Sequence, residues 1–189
     1  MGDLRVVVCG GGAAAGVGEL IVAATGRGWS VDVTATQSAL EFIESAEVAR
    51  LSGKPVRTTY KFAPDGRRIS PPADALIVAP ATFNTVNKLA LGIADTYALS
   101  SVAEVIGRGV PTVLVPAVNS ALAARLPFRR AIEDLKNEGV RVLFGPDDEW
   151  EPLPPGRNDP NRFPWLRALD LVEEAFGLTT VDRNVPMRS

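Results

Sequence analysis

The chain has 189 residues, 46% of them hydrophobic and 22% charged, and a formal net charge of −2. This composition excludes a disordered or fibrous chain and describes a globular protein able to bury about 70% of its unfolded surface. So small a net charge gives no reason to expect nucleic acid or an anionic membrane as a partner.

Strand-like and helix-like runs alternate along the chain. Residues 4–9 are an apolar, β-branched strand, too short to cross a bilayer. With Asp3 before it and glycines after it, the N-terminus reads as that of a mature cytoplasmic protein. Residues 13–27 read as a helix, 29–36 as the second strand, and 38–46 as a helix with Ser38 at its N-cap. The third strand is 75–79, followed by a mainly helical stretch, 84–109, broken near Gly92. Residues 112–115 are the fourth strand, 120–137 a helix, 140–144 the fifth strand and 166–176 the last helix.

Short apolar strands separated by helices predict an α/β fold. We expect a doubly wound, flavodoxin-like (Rossmann-type) open parallel sheet of five or six strands with helices on both faces. No internal repeat or second domain is visible, so residues 1–189 are expected to form one domain. Two proline-rich stretches interrupt the rhythm. Residues 52–72 include a short strand expected at 56–59, and an arm around 145–165 carries Trp150 and Phe163. Loops of this length serve as lids, binding loops or subunit contacts, or simply wrap the surface.

The chain has one cysteine, Cys9, and no histidine. That excludes an internal disulfide, a multi-cysteine metal site, and Ser-His-Asp or Cys-His catalysis. No metal site is expected. Acid–base steps fall to a carboxylate, a lysine, a tyrosine, a cofactor or water. Cys9, at the end of a buried strand, reads as packing rather than redox chemistry. Glu41, Glu44 and Glu47 lie at helical spacing on a solvated face.

In an open parallel sheet, ligands sit at the carboxyl ends of the strands. The first such turn is Gly10-Gly11-Gly12-Ala13, where glycines allow close backbone approach and the following helix start favours an anion. Gly10, Gly12 and Ala15 satisfy a G-x-G-x-x-A pattern, which alone is weak because such turns are common. A nicotinamide cofactor also wants an acid at the second tip, yet Asp32 lies mid-strand and the tip is Thr36-Gln37-Ser38. Hydroxyls there suit a phosphate. The third tip, Pro80-Ala81-Thr82-Phe83-Asn84-Thr85, offers hydroxyls, an amide and unpaired N–H groups. Ser38 and Asn84 also suit helix capping, which does not conflict with a ligand contact.

The third tip resembles the Pro-Ala-Ser-Ala-Asn-Thr motif of the flavin-dependent cysteine decarboxylases, a family that includes phosphopantothenoylcysteine and lantibiotic peptide decarboxylases. Thr82 replaces serine and keeps the hydroxyl, while Phe83 replaces alanine and stands to stack beside the flavin or narrow the substrate space. The match continues through Lys88, Ala90, Gly92 and Asp95. Thr36-Gln37-Ser38-Ala39 with Phe42 is similar to the family's second motif, and Gly10 and Ala13 to its Gly-Ser-Ile-Ala turn, with Gly11 in place of serine. The resemblance runs over roughly residues 4–144. It implies FMN as cofactor, bound by Gly10, Gly11, Gly12, Thr36, Ser38, Phe42, Pro80, Ala81, Thr82, Phe83, Asn84 and Thr85, with Ser38 on the phosphate. It also implies a homo-oligomer, a trimer or dodecamer with FMN at the subunit boundary.

After the fourth strand the family carries Pro-x-Met-Asn-x-x-Met-Trp. This chain keeps Pro116 and Asn119 and loses both methionines and the tryptophan. By resemblance Asn119 contacts a substrate carboxylate, although a helix-start role serves equally. The family's active-site histidine falls near Gly66-Arg67-Arg68-Ile69-Ser70, where this chain has none. Arg67 or Arg68 could attract a carboxylate but cannot act as a base at neutral pH. The family reaction oxidises a thiolate through the flavin to a thioaldehyde that then loses carbon dioxide. The sequence thus implies redox or decarboxylase-like activity on a small carboxylate substrate, with a non-catalytic or regulatory flavin-binding subunit as the alternative. The flavin prenyltransferases of the same fold carry an Arg-Glu-Thr-Pro-like segment where this chain has Val115-Pro116-Ala117-Val118.

Overall fold

The computed structural model describes residues 1–183, with side chains through Gly177. Its main sheet has five parallel strands in the order β2-β1-β5-β6-β7: β1 (Asp3–Val8), β2 (Ser30–Ala35), β5 (Ala75–Ala81), β6 (Thr112–Pro116) and β7 (Arg141–Val142). Numbered within this sheet alone, the order is 2-1-3-4-5, the flavodoxin-like arrangement expected from the alternating runs. A separate antiparallel hairpin, β3 (Lys61–Phe62) and β4 (Arg68–Ile69), projects from the segment between β2 and β5.

Alternation along the strands splits the core in two. Leu4, Val6 and Val8 of β1, with Val31, Val33 and Ala35 of β2, face α1 (Val17–Gly26) and α7 (Trp165–Arg183). Val7 and Cys9, with Leu76 and Val78 of β5, face α3 (Phe83–Ala90), α4 (Tyr97–Gly107) and α6 (Leu126–Asn137). Covering both faces is what lets a parallel sheet be apolar throughout, and each buried Val, Leu or Ile contributes about 1.5–3 kcal/mol. Trp165 is 1% exposed and is the largest fully buried side chain.

The elements differ from the sequence expectation at their edges. The helix expected over 38–46 is a 3-10 turn, Gln37–Glu41, followed by α2 (Ser45–Ser52). Its cap is Thr36, whose extended backbone and side-chain oxygen, 3.3 Å from Ala39 N, meet the geometric need; Ser38 is already inside the turn. The break in the 84–109 stretch is present: α3 ends at Ala90 and Gly92 sits at φ 67°, a left-handed conformation that other residues resist. The helix expected over 120–137 is two, α5 (Ser120–Ala123) and α6. Pro127 at the start of α6 has no N–H to give the preceding turn. Residues 56–59 form no full strand, although Arg57 bridges Thr34 in parallel along the free edge of β2.

Two groups of arginines tie the 52–72 excursion down. Arg5, fully buried on β1, donates to Ser101 Oγ at 2.7 Å and to the Pro71 carbonyl. Burial pushes its guanidinium below the usual arginine range. Arg57 approaches Asp32 at 3.4 Å, and Arg68 pairs with Glu104 at 3.0 Å while lying over the Tyr60 ring.

Two outcomes follow from this packing. Trp165→Ala is expected to destabilise the protein by about 3–5 kcal/mol, whereas Trp165→Phe, which keeps an aromatic ring and removes an indole N–H that has no partner, is expected to cost far less. Denaturant midpoints of the two variants measure the difference. Burial also pushes the Cys9 thiol up, so it stays protonated and shielded at neutral pH. A disulfide reagent should leave it unmodified in native protein and titrate one thiol per chain in guanidinium; rapid native labelling would contradict this placement.

Candidate functional site

Backbone hydrogen bonds join the strand tips into one rim. Thr36 N donates to Val8 O at 3.0 Å, Cys9 N to Pro80 O at 3.1 Å, and Ala117 N to Ala81 O at 2.8 Å. The turns after β2, β1, β5 and β6 therefore stand side by side. Each bond satisfies a main-chain donor just where the sheet ladder ends.

The glycine turn shows why small residues are needed. A Cβ at Gly10 would come within 2.8 Å of Ser38 Oγ and of the Ser38 carbonyl, so this close approach requires glycine. A Cβ at Gly11 would meet nothing within 4 Å, and its backbone is extended at φ 161°, ψ 158°. The amides of Gly10, Gly11 and Gly12 find no acceptor among the described residues. A 3-10 turn, Gly12–Gly16, then leads into α1, so unpaired N–H groups collect at this corner with positive dipole character.

At the second tip, Thr36 takes the capping role and its Oγ1 lies 3.2 Å from Ser38 Oγ. The exposed Ser38 hydroxyl is thus held in place but not consumed by the cap. Phe42 ends this turn at 42% exposure, outside any core cluster.

The third tip divides into inward and outward groups. Thr82, not Asn84, caps α3, its oxygen 3.3 Å from Thr85 N. Thr85 is buried and donates to Cys9 Sγ at 3.3 Å, which ties β1 to α3 and turns that hydroxyl away from solvent. Phe83 stacks on Phe128 with centroids 5.8 Å apart and planes 13° apart, so its ring builds the α3–α6 contact. Asn84 is exposed in the first turn of α3.

The fourth tip faces a cavity of about 210 Å³ lined by Gly11–Ala13, by Ala117–Asn119 and by the proline-rich arm. Asn119 caps α5 by accepting from Leu122 N at 3.0 Å, leaving its Nδ2 uncommitted among the described residues. The arm is pinned over this space. Trp150 Nε1 donates to Pro116 O at 2.8 Å, and Ser120 N donates to Leu153 O at 2.9 Å. Phe163 meets Trp150 at 5.2 Å and Trp165 at 4.5 Å, and Arg162 lies over the Trp150 ring. A Cβ at Gly12 would come within 2.7 Å of Asn158 Nδ2, so the arm rests directly on the glycine turn.

The structure thus brings Gly11, Gly12 and Asn119 to one cavity, with Gly10, Ser38, Thr82 and Asn84 on the adjoining rim. Thr85 and the Phe83 ring serve packing. Arg67 and Arg68 line no part of the cavity; Arg68 is engaged by Glu104 and Tyr60, and Arg67 lies 3.8 Å from Asp65. Sequence reasoning assigned no site role to Trp150, Arg157, Asn158 and Asp159. Their one signal was aromatic residues inside a proline-rich stretch.

The Flavoprotein family model matches residues 3–156. The probable phosphopantothenoylcysteine decarboxylase of Streptococcus mutans is 32% identical over 145 residues, covering 74% of this chain and 80% of that protein. The coenzyme A biosynthesis bifunctional protein CoaBC of Mycolicibacterium smegmatis is 30% identical over 141 residues, 73% of this chain but 33% of that longer protein. The chain spans from 17% to 48% of the length of other curated relatives it matches. Among solved structures, the FMN-dependent cysteine decarboxylase SpaF aligns at a TM-score of 0.68 with 22% identity, over 92% of this chain and 97% of that one. The structural likeness establishes the flavodoxin-like fold. The chain belongs to the Flavoprotein family.

Proposed function

We propose that this protein binds FMN along the rim of strand tips and carries out redox or decarboxylase-like chemistry on a small substrate bearing a carboxylate. One observation carries the reading: three adjoining turns present uncommitted amides and hydroxyls around an open glycine turn, in a member of the Flavoprotein family. The residues present fit the group. The amides of Gly10, Gly11 and Gly12 and the hydroxyl of Ser38 are neutral donors at a helix start, the chemistry that holds a phosphate without a cation. Thr36 keeps Ser38 in place, and Phe42 borders the same turn. Thr82 borders the ring system and Asn84 donates from its exposed amide, while Pro80 and Ala81, expected to touch the flavin, are buried beneath this tip because their strand is covered on both faces. Phe83 and Thr85 support that wall from behind.

Bound flavin would supply a two-electron acceptor. The chain's own residues bind and orient: Asn119 Nδ2 donates to the substrate carboxylate, and the pinned arm with Trp150 and Leu153 restricts water over the cavity. With no histidine available, proton removal is left to a lining carboxylate, solvent or the cofactor. That absence, together with Arg68 being tied to Glu104 near where relatives place the histidine, favours a second reading: flavin binding in a non-catalytic or regulatory subunit.

The same reading takes residues 1–189 as one domain located in the cytoplasm. Among the described residues no helix is long and apolar enough to cross a membrane. Phe62, Ile69, Leu91 and Ile93 are 63%, 40%, 74% and 40% exposed, apolar surface that supports assembly as a trimer or dodecamer.

Flavin titration followed by fluorescence quenching is expected to give saturable, one-to-one FMN binding; no binding would defeat the proposal. Ser38→Ala should weaken it about tenfold through loss of one charge-assisted hydrogen bond. Gly11→Ser has room for its side chain and adds a hydroxyl, so it should tighten binding by about two- to tenfold. Carbon dioxide release from L-cysteine or from a cysteine-terminated peptide by FMN-loaded protein separates the two readings, since a non-catalytic subunit releases none from either. Native mass spectrometry should show a trimer or a multiple of it, and Leu91→Glu combined with Ile93→Glu should lower the mass to that of one chain.

A further inference from the structure

The arm does more than cover the cavity, because it brings the charged groups into it. Arg157 is the one cation among the lining residues, and its guanidinium has no ion pair or hydrogen bond to another side chain among the described residues. Glu151 and Asp159 line the same space and are likewise uncommitted. Trp150 and Phe163, packed edge to face with centroids 5.2 Å apart, line the same space, as do Asn119 and Asn158.

These groups select a chemistry. A guanidinium offers a planar fork of donors that matches a carboxylate. Two carboxylates beside it are receptors for an ammonium group, and they make the lining net negative by one charge. A purely anionic ligand would gain from Arg157 and lose to Glu151 and Asp159. A ligand carrying both charges satisfies all three. At about 210 Å³ the space is also smaller than the roughly 300–1,000 Å³ typical of pockets for drug-sized ligands, which favours a small molecule over a long acylated chain.

We propose that this cavity is a receptor for a small zwitterion, a free α-amino acid or similar ammonium carboxylate, with Arg157 as the specificity-determining contact for the carboxylate and Glu151 and Asp159 receiving the ammonium. The proposal rests on the FMN reading only for what happens to the ligand afterwards. Binding itself is a property of the apo chain. Asn119, which lines the same cavity, offers its Nδ2 to the carboxylate as a second donor. The aromatic wall sits against whatever short side chain the amino acid carries.

Isothermal titration of the apo protein with three probes tests this: L-cysteine, N-acetylcysteine, which lacks the ammonium, and cysteamine, which lacks the carboxylate. L-Cysteine is expected to bind at least about tenfold more tightly than either truncated probe, the size of effect a lost charged contact produces. Arg157→Gln should remove most of that preference over cysteamine, and Glu151→Gln with Asp159→Asn should remove the preference over N-acetylcysteine. Arg157 and both acids are exposed, so these variants are expected to fold, and an unchanged melting temperature checks it. N-acetylcysteine binding as tightly as L-cysteine, or an Arg157→Gln protein with unaltered probe affinities, overturns the proposal. Gly11 and Gly12 border both the cavity and the proposed phosphate site, so FMN titration is run on separate amino-acid-free samples, and loss of one result then leaves the other interpretable.

Discussion

The constraint on which the structure depends is the set of backbone bonds that cross from one strand tip to the next. The amides of Thr36, Cys9 and Ala117 donate to the carbonyls of Val8, Pro80 and Ala81 at the strand ends, and that lateral stitching sets the spacing of the turns on the rim. A parallel sheet places all its carboxyl ends on one edge, so turns far apart in sequence become neighbours there. Were the rim to splay, Ser38 would leave Gly10 and the arm would lose its anchor at Pro116. Local strand formation, core packing and the candidate site are in that sense one problem.

The site uses neutral donors more than charges at the rim and keeps its charges for the arm. Amides of the glycine turn and the Ser38 hydroxyl stand where an anion gains from a helix start. The guanidinium and carboxylates line the cavity from residues 151–159. In the proposed reading the first group would hold a phosphate and the second a substrate, with Asn119 lining the same cavity. Capping economy supports it: Thr36, Thr82 and Asn119 satisfy the helix starts, so Ser38 and Asn84 are left available to a ligand.

The missing histidine gives the chemistry its shape. Near the position where the resemblance places the family's histidine, this chain folds a small hairpin held by Arg68, Glu104 and Tyr60. A guanidinium committed to a carboxylate and a ring neither moves a proton nor greets a substrate. Any turnover therefore relies on binding, orientation and exclusion of water, supplied by the rim and the arm.

The sequence by itself determined the parallel α/β architecture, because runs such as Val6-Val7-Val8 and Leu76-Ile77-Val78 are apolar on both faces and only a sheet covered on both sides accepts them. It also marked the strand-tip residues Gly10 to Gly12, Ser38, Asn84 and Asn119, since glycine, hydroxyl and amide side chains at strand ends carry a local chemical meaning. It misjudged which residues cap, placing Ser38 where Thr36 acts, because a shift of two positions along a turn leaves almost no trace in composition. Tertiary structure alone decided that Phe83 stacks on Phe128, that Thr85 turns toward Cys9, and that Trp150, Arg157 and Asp159 cross from a proline-rich stretch to wall the cavity. Those outcomes depend on contacts between segments tens of residues apart, and no periodicity or local propensity encodes which distant surface a side chain will meet.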